Sequence, residues 1–458
     1  MMSLAQAAQT LSAQLVGADA HFHSVSTDSR RIDRGALFVA LRGERFDGHA
    51  FIAAVANSGA AGAMVDRASN PQAAPLPLLV VEDTRVSLGK LAAAWRARFA
   101  IPLIAVAGSN GKTTVKEMIA AILRERFGAE QVLATEGNLN NDIGLPLTLL
   151  RLRETHRAAV VEIGMNHPGE TASLAALARP SIALVNNAQR EHQEFMKSVA
   201  DVAREHAALP ASLSRGGVAV INADDEYAKM WRDAAARAGA SVRDFGLGSQ
   251  AAVHARYQLE PFSSRLDLHA PEGKVRLVLH VPGLHNVRNA LAATAASLVA
   301  GASLATVALA LEAFSAVKGR MQRSTAKGGA VLIDDTYNAN PESVHAAIEV
   351  LAACPEPRVL VLGDMGEAGE LGPAFHAEVG EHARRARLTS LLAMGELTRH
   401  ALASFGGGRH AATLEELLGA LQSYDCLGAT LLVKGSRFMR MERVVESLSA
   451  RSADGEAR

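Results

Sequence analysis

Residues 106–118 constrain this chain more than any other stretch. They read Val106-Ala107-Gly108-Ser109-Asn110-Gly111-Lys112-Thr113-Thr114-Val115-Lys116-Glu117-Met118. The apolar run before them, 103–107, is short and suits a buried strand. After them, Val115, Met118, Ile119, Ile122 and Leu123 recur at helical spacing. A glycine-rich turn therefore joins a strand to a helix. Glycine lets backbone approach a ligand with no Cβ in the way. The helix start offers unpaired N–H groups and the positive end of the dipole, which suits a phosphate. Lys112 can then reach terminal phosphates, and the Thr113 hydroxyl can ligate Mg²⁺. The spacing is G-x-x-G-K-T, two residues shorter than the usual phosphate loop. Val106 stands where the longer pattern has its first glycine. The competing reading is a strand–helix turn with a chance lysine. The flanking strand and helix favour nucleoside triphosphate binding.

At 458 residues the chain is long enough for about three domains. Lys plus Arg equals Asp plus Glu, for a formal net charge of zero. That balance argues against nucleic acid or a membrane surface as a broad partner. Two cysteines, Cys354 and Cys426, are too few for a disulfide framework and fit a reducing compartment. The first twenty residues show neither a basic leader nor a long apolar core, and no apolar run approaches the roughly 20 residues of a membrane span. A cytoplasmic protein without membrane insertion is expected.

Residues 1–101 read as a small α/β unit. Strands are expected over 35–41, 62–65 and 78–81, and helices over 50–56 and 86–99. Ser26-Thr27-Asp28-Ser29-Arg30-Arg31 precedes the first strand in a loop, and Arg42-Gly43 follows it. Hydroxyls with a guanidinium suit a diphosphate, although a solvated polar loop would look the same. Pro71, Pro75 and Pro77 mark a connection, and 100–102 is a linker.

Residues 102–318 alternate strands with helices, which argues for a parallel sheet. The stretch 135–146, with Asn138, Asn140, Asn141 and Asp142 among glycines, reads as a loop whose amide and backbone donors could hold carboxylates or phosphates. Glu162 is an acid in the otherwise apolar strand 158–164, near its carboxyl end. A buried carboxylate needs a partner or a metal, and beside a phosphate loop Mg²⁺ is the natural one. The strand 181–185 runs into Asn186-Asn187-Ala188-Gln189-Arg190-Glu191-His192. His192 is open to metal, phosphate or purely structural roles. A further strand covers 218–221, and 251–282 is β-rich. Residues 282–289 then open a long alanine-rich helix, with Asn286 and Asn289 on one face. The alanine richness itself reads as composition bias without chemistry.

Residues 319–458 form the third unit, beginning at Gly319-Arg320. Strands are expected over 331–335, 358–362, 391–393 and 430–433. Polar clusters follow their carboxyl ends: Thr336 to Asn340, Gly363 to Glu367, and Lys434 to Arg437. Strand–helix alternation gives a doubly wound sheet, and such sheets bind ligands at that edge.

Together these stretches resemble the Mur ligases of peptidoglycan synthesis. The resemblance is carried by 27–30, 38–43, 108–114, 137–144, Glu162 with Gly169-Glu170, 285–289, 335–340, 363–367 and 434–437, which span nearly the whole chain. It implies an α/β protein of three domains: a small N-terminal α/β domain for a UDP substrate, a central P-loop mononucleotide-binding domain with a parallel sheet, and a C-terminal Rossmann-like domain. Val115-Lys116-Glu117-Met118, Asn138-Leu139-Asn140-Asn141 and Tyr337-Asn338-Ala339-Asn340-Pro341 look like the member that joins D-alanyl-D-alanine to UDP-N-acetylmuramoyl-tripeptide. That member would use ATP and Mg²⁺, pass through an acyl phosphate, and act as a monomer on small molecules.

By the same resemblance Lys112, Glu162 and His192 would be catalytic, with Thr113, Glu162 and His192 as metal ligands. Gly108, Ser109, Asn110, Gly111, Lys112, Thr113, Thr114, Asn286, Asn289, Arg320 and Asp335 would contact the nucleotide. Ser26, Thr27, Asp28, Ser29, Arg30, Arg42, Asn138, Asn141, Asn338, Lys434 and Arg437 would contact substrates. One departure stands out. Many Mur ligases carry a carbamylated lysine about fourteen residues after the histidine matched to His192, and this chain has His206 there. A neutral imidazole can ligate a metal but brings no negative charge.

Two other kinds of reading remain open: a sibling ligase or folylpolyglutamate synthetase with another amine acceptor, and a P-loop kinase that stops at phosphoryl transfer. A nucleotide-gated module without turnover is disfavoured by intact Lys112, Thr113 and Glu162. Lys112→Ala is expected to abolish ATP-dependent phosphate release while leaving the circular dichroism spectrum unchanged. Near-normal release by that variant would refute the phosphate-loop assignment.

Overall fold

The computed structural model describes residues 1–69, 74–191, 193–426 and 428–449. His192 and Pro71 therefore lie outside the described residues. At its centre is a six-stranded sheet in the order Val132–Ala134, Ala158–Glu162, Leu103–Ala107, Ile182–Val185, Val218–Asn222 and Ser241–Phe245. Every pairing in it is parallel. The three middle strands are buried along their whole length, as continuous apolar runs require when helices cover both faces. Leu103–Ala107 sits between the strands that end in Glu162 and Val185, with Val106 opposite Glu162 on one side and Leu184 on the other. The phosphate-loop turn therefore emerges between those two strand ends.

The loop's helix, Lys112–Phe127, packs on Leu284–Val299. Along the second helix Ala290, Ala292, Ala293, Ala295 and Ala296 are fully buried. The alanines are thus more than composition bias: small side chains let the two helices approach closely. The β-rich stretch forms an antiparallel sheet of His254–Leu259, Ser264–Ala270 and Gly273–Leu279.

The N-terminal sheet runs Gln14–Val16, Leu78–Val81, Gly62–Asp66, Ala36–Val39, Ser24–Ser26, and only its first pairing is antiparallel. Its helix Thr84–Arg96 starts two residues before the expected position, because the Asp83 carboxylate accepts from Val86 N at 2.9 Å and caps it. The helix expected over 50–56 opens as a 3₁₀ turn, Gly48–Phe51, and continues as Ile52–Asn57. Leu88, Leu91 and Trp95 share one buried cluster with Leu145, Leu149 and Leu174. The Trp95 indole donates to Leu152 O at 3.1 Å. This unit is docked on the central one through apolar surface.

The C-terminal sheet runs Gln322–Thr325, Val331–Asp335, Thr430–Lys434, Arg358–Gly363, Ser390–Met394, Arg409–Ala411, parallel except at its first edge. Buried clusters cover both faces. The edge strands Val132–Ala134, Ser241–Phe245, Gln14–Val16 and Gln322–Thr325 escape a sequence reading. They are short or carry polar residues on both faces, so alternation and apolar runs are lost. Among the described residues no helix is long and apolar enough to cross a membrane. Leu291 is fully buried on the alanine-rich helix. Leu291→Ala is expected to destabilise the central unit by about 2–5 kcal/mol, read from its urea unfolding midpoint.

Candidate active site between the central and C-terminal sheets

A cleft of about 1330 Å³ lies where the carboxyl ends of the central strands face those of the C-terminal sheet. The phosphate loop forms its floor. Gly108 and Gly111 hold φ of 141° and 83°, a region that glycine enters without penalty. A Cβ on Gly108 would also stand 2.9 Å from Asn186 Cβ, and one on Gly111 would strike the Asn289 amide. Lys112 Nζ donates to Gly108 O at 2.6 Å and approaches Ser109 O at 3.4 Å and Glu191 Oε2 at 3.3 Å. Its ammonium is thereby folded back over the loop.

Thr113 Oγ1 donates to Glu162 Oε2 at 2.8 Å, and Asn140 Nδ2 donates to Glu162 Oε1 at 2.8 Å. Glu162 is 3% exposed, and its backbone N–H donates to Thr135 Oγ1 at 3.0 Å. A buried carboxylate with one hydroxyl and one amide donor, and no cationic side chain on it among the described residues, is a strong oxygen ligand for a hard divalent ion. Thr135 is itself anchored: Lys116, a lysine with no exposed surface, donates from Nζ to Thr135 O at 2.8 Å and also contacts the Glu117 carboxylate.

A string of amides frames the loop. Asn186 Nδ2 donates to Asn110 O at 2.8 Å and to Asn289 Oδ1 at 3.1 Å, and Asn289 Nδ2 donates to Asn286 Oδ1 at 3.1 Å. Asn110 N donates to Asn187 Oδ1, and Ser109 Oγ exchanges hydrogen bonds with the Gln189 backbone. Thr114 follows at the cleft wall.

The C-terminal unit closes the other side. Arg320 Nη2 donates to Thr113 Oγ1 at 2.9 Å, and its guanidinium stacks 4.1 Å above the Tyr337 ring. Asn340 and Asn110 exchange amide hydrogen bonds at 3.1 and 3.3 Å. Lys434 Nζ donates to Asp335 Oδ2 at 2.5 Å and to Asn338 O at 3.0 Å. This pair is buried, so the lysine is held in place. Arg437 stands at the rim, with its side chain 68% exposed and paired loosely with Glu442.

Not every expected position falls in this cleft. Asn138 is exposed and does not line it. Asn141 reaches the edge, but its Oδ1 is taken up by accepting from Gly144 N at 2.9 Å, at the start of the helix Gly144–Leu149. Its neighbour Asn140 makes the contact with Glu162. Ser26 ends the strand Ser24–Ser26, and Thr27, Asp28, Ser29 and Arg30 follow in the turn after it, all outside the cleft. There the Arg30 guanidinium holds the Asp28 carboxyl down at about 2. Arg42 sits between Asp47 and Asp66, at 3.2 Å from each. The sequence reading missed Arg190, whose guanidinium bridges Glu342 at 2.5 Å and Glu378 at 2.8 Å across the two units. It also missed Glu191. Its signal was adjacency to the asparagine run, but neither partner is near in sequence.

The chain matches the patterns that describe the Mur ligase family catalytic domain over 21–96, the Mur ligase middle domain over 106–297, and the Mur ligase glutamate ligase domain over 319–437. It is 40% identical to the UDP-N-acetylmuramoyl-tripeptide--D-alanyl-D-alanine ligase of Escherichia coli K12 over 98% of both chains, and 38% identical to that of Haemophilus influenzae over the same shares. Among solved structures it resembles MurF from Acinetobacter baumannii, with a TM-score of 0.89, 34% identity and coverage of 97% and 98%. It also resembles MurF ligase from Thermotoga maritima in complex with ADP, with a TM-score of 0.80, 26% identity and coverage of 93% and 96%.

His285, beside the asparagine string, is half-buried in the cleft wall. Burial first, then Lys434 and Arg288, push its imidazole from the usual 6.5 down to about 4. The neutral ring accepts from Asn286 Nδ2 at 3.1 Å. The unfolded chain takes up this proton near pH 6.5 and the folded chain only near pH 4. Between those values the unfolded state binds more protons, so stability falls as pH drops through that window and is level above it. His285→Gln is expected to remove a pH-dependent loss on the order of 3 kcal/mol, seen as a flatter unfolding free energy between pH 7 and 4.

Proposed function

Because this chain belongs to the Mur ligase family, we propose that it joins D-alanyl-D-alanine to UDP-N-acetylmuramoyl-tripeptide at the expense of ATP. The products are the pentapeptide precursor of peptidoglycan, ADP and phosphate. One observation carries the reading: an intact loop of Lys112, Thr113 and Glu162 faces the Asn338–Lys434 cluster across a single cleft, in a chain 40% identical over its length to a ligase of that name.

Chemically, a carboxylate is a poor acyl donor because no good leaving group departs from it. Transfer of the γ-phosphoryl group to the tripeptide's terminal carboxylate yields an acyl phosphate and ADP. The dipeptide amine then attacks the carbonyl carbon, the amide bond forms, a proton leaves the nitrogen, and phosphate departs. The first step brings two anions together. The Lys112 ammonium, the helix start above it and the Arg320 guanidinium place positive charge where that repulsion develops. Mg²⁺, bound by the Thr113 hydroxyl and the Glu162 carboxylate, would screen the phosphate oxygens further. By resemblance, His192 would bind a second Mg²⁺.

The asparagine string of Asn286 and Asn289, together with Arg320 and Asp335, would hold the nucleotide. Asn338, Lys434 and Arg437 would serve the acceptor end, where Lys434 and the exposed Arg437 can meet the dipeptide carboxylate. The unit 102–318 would then bind ATP and 319–458 would close over it. The unit 1–101 would take the UDP part through 26–30 and Arg42, whose hydroxyls and guanidinia suit a diphosphate. All these groups come from one chain, which suits a monomer. Cys354 and Cys426 are unpaired, which suits the cytoplasm.

The test is phosphate release from ATP and Mg²⁺ with UDP-N-acetylmuramoyl-tripeptide, with and without D-alanyl-D-alanine. Release should require both substrates, and the product should have the mass of the pentapeptide. Release that ignores the dipeptide but answers to another amino acid would overturn the acceptor assignment. A stable phosphorylated product formed without any amine would mark a kinase.

A further inference from the structure

His206 lies in the middle of the helix Val199–Ala211, 1% exposed, behind Glu191, which lines the cleft. Its Nε2 stands 3.2 Å from Glu191 Oε1, and the side chain of Glu191 is 6% exposed. The other carboxylate oxygen, Oε2, stands 3.3 Å from Lys112 Nζ. A buried imidazole, a buried carboxylate and the phosphate-loop ammonium thus form one line, with the carboxylate in the middle.

His206 Nδ1 has no hydrogen-bond partner among the described residues, so the close polar contact of the ring is the one from Nε2 to Glu191. A buried polar ring is costly unless its contact is useful. Nε2 and Oε1 are close but not aligned as a linear hydrogen bond, so their contact is mainly electrostatic. Next along the helix, Glu205 has an ordinary structural task, accepting Gly169 N at 2.9 Å and Thr171 N at 2.7 Å at the start of a helix.

Lysine carries a compact charge on a flexible four-carbon stem with three donors, so its head must be fixed from outside. Here Gly108 O, Ser109 O and Glu191 Oε2 do so. The two carbonyls belong to the loop itself. Glu191 is the single charged member of the three, and it comes from the neighbouring strand end.

The geometry points to Glu191 and His206 as positioning residues for phosphoryl transfer: His206 holds the Glu191 carboxylate, and Glu191 holds the Lys112 ammonium where charge develops on the transferring phosphate. This deepens the ATP-site reading and rests on it. A group that acts only by placing the ammonium for transfer should affect kcat more than nucleotide affinity.

The experiment measures kcat and KM for ATP in the full-length ligase assay, alongside calorimetric binding of Mg²⁺·ADP, for Glu191→Gln, His206→Leu, His206→Gln and the Glu191→Gln/His206→Leu pair. Glu191→Gln and His206→Leu should each lower kcat by about ten- to a hundredfold, the range for loss of a group that orients a reacting one, with ADP affinity within about threefold of wild type. His206→Gln, which keeps a donor facing Glu191, should recover most of that loss. The double variant should be no worse than the poorer single one, as coupled groups require. Wild-type kcat in Glu191→Gln, with ADP binding intact, overturns the inference. So does a His206→Gln no better than His206→Leu. If His206→Leu does not fold, Glu191→Gln alone decides. Absence of ADP binding by the wild-type protein would instead fell the ATP-site reading, and this inference with it.

Discussion

The Thr113–Glu162 contact is the constraint from which the rest of the site follows. It joins the first turn of the phosphate-loop helix to the end of the adjacent strand, and both residues are buried. A carboxylate at that depth persists only if every oxygen is answered. Asn140 supplies the second donor, so the polar loop that carries it must be drawn in. That loop is secured at its base by Lys116 through Thr135 O and at its far end by Asp142, which accepts two bonds from Arg85 of the N-terminal unit. One buried acid therefore organises residues from two units.

The same logic extends across the cleft. Arg320 reaches the Thr113 hydroxyl, Asn340 pairs with Asn110, and Arg190 bridges Glu342 and Glu378. These are polar contacts across the cleft, unlike the apolar surface that docks the N-terminal unit through Leu88, Leu91 and Trp95. Polar interfaces within a chain resemble transient ones, and relative motion is the default for units joined that way. The N-terminal unit is thus joined to the central one by apolar packing, and the C-terminal unit by polar pairs across the cleft.

Glycine placement and amide packing then set how close a phosphate can come. Asn186 and Asn289 fill the space that a Cβ on Gly108 or Gly111 would need. The alanine-rich helix brings Asn286 and Asn289 against the loop because its small residues allow close packing on Lys112–Phe127. Close packing here serves the site as much as stability. The lowered pKa of half-buried His285 belongs to the same arrangement, since a charged ring would lose its acceptor nitrogen beside Asn286.

Much was legible in the sequence alone, because its determinants are local. A strand, a glycine turn and a helix in succession place Lys112 and Thr113, and an acid at the end of an apolar strand marks Glu162. The alternation of strands and helices settles the parallel sheets. Adjacent motifs also carried the family. What only the tertiary structure decided involves partners far apart in the chain. Asn186 and Asn289 are 103 residues apart, Thr113 and Arg320 are 207, and Asn110 and Asn340 are 230. Arg190 and Glu191 sit in a polar run whose two possible faces no periodicity distinguishes. The sheet order sends Arg190 toward the C-terminal unit and Glu191 inward between Lys112 and His206. The sequence marks His206 only as a departure from the family pattern. Burial and its distance from Glu191 assign it a place, because a side chain's charge environment is set by what folds against it.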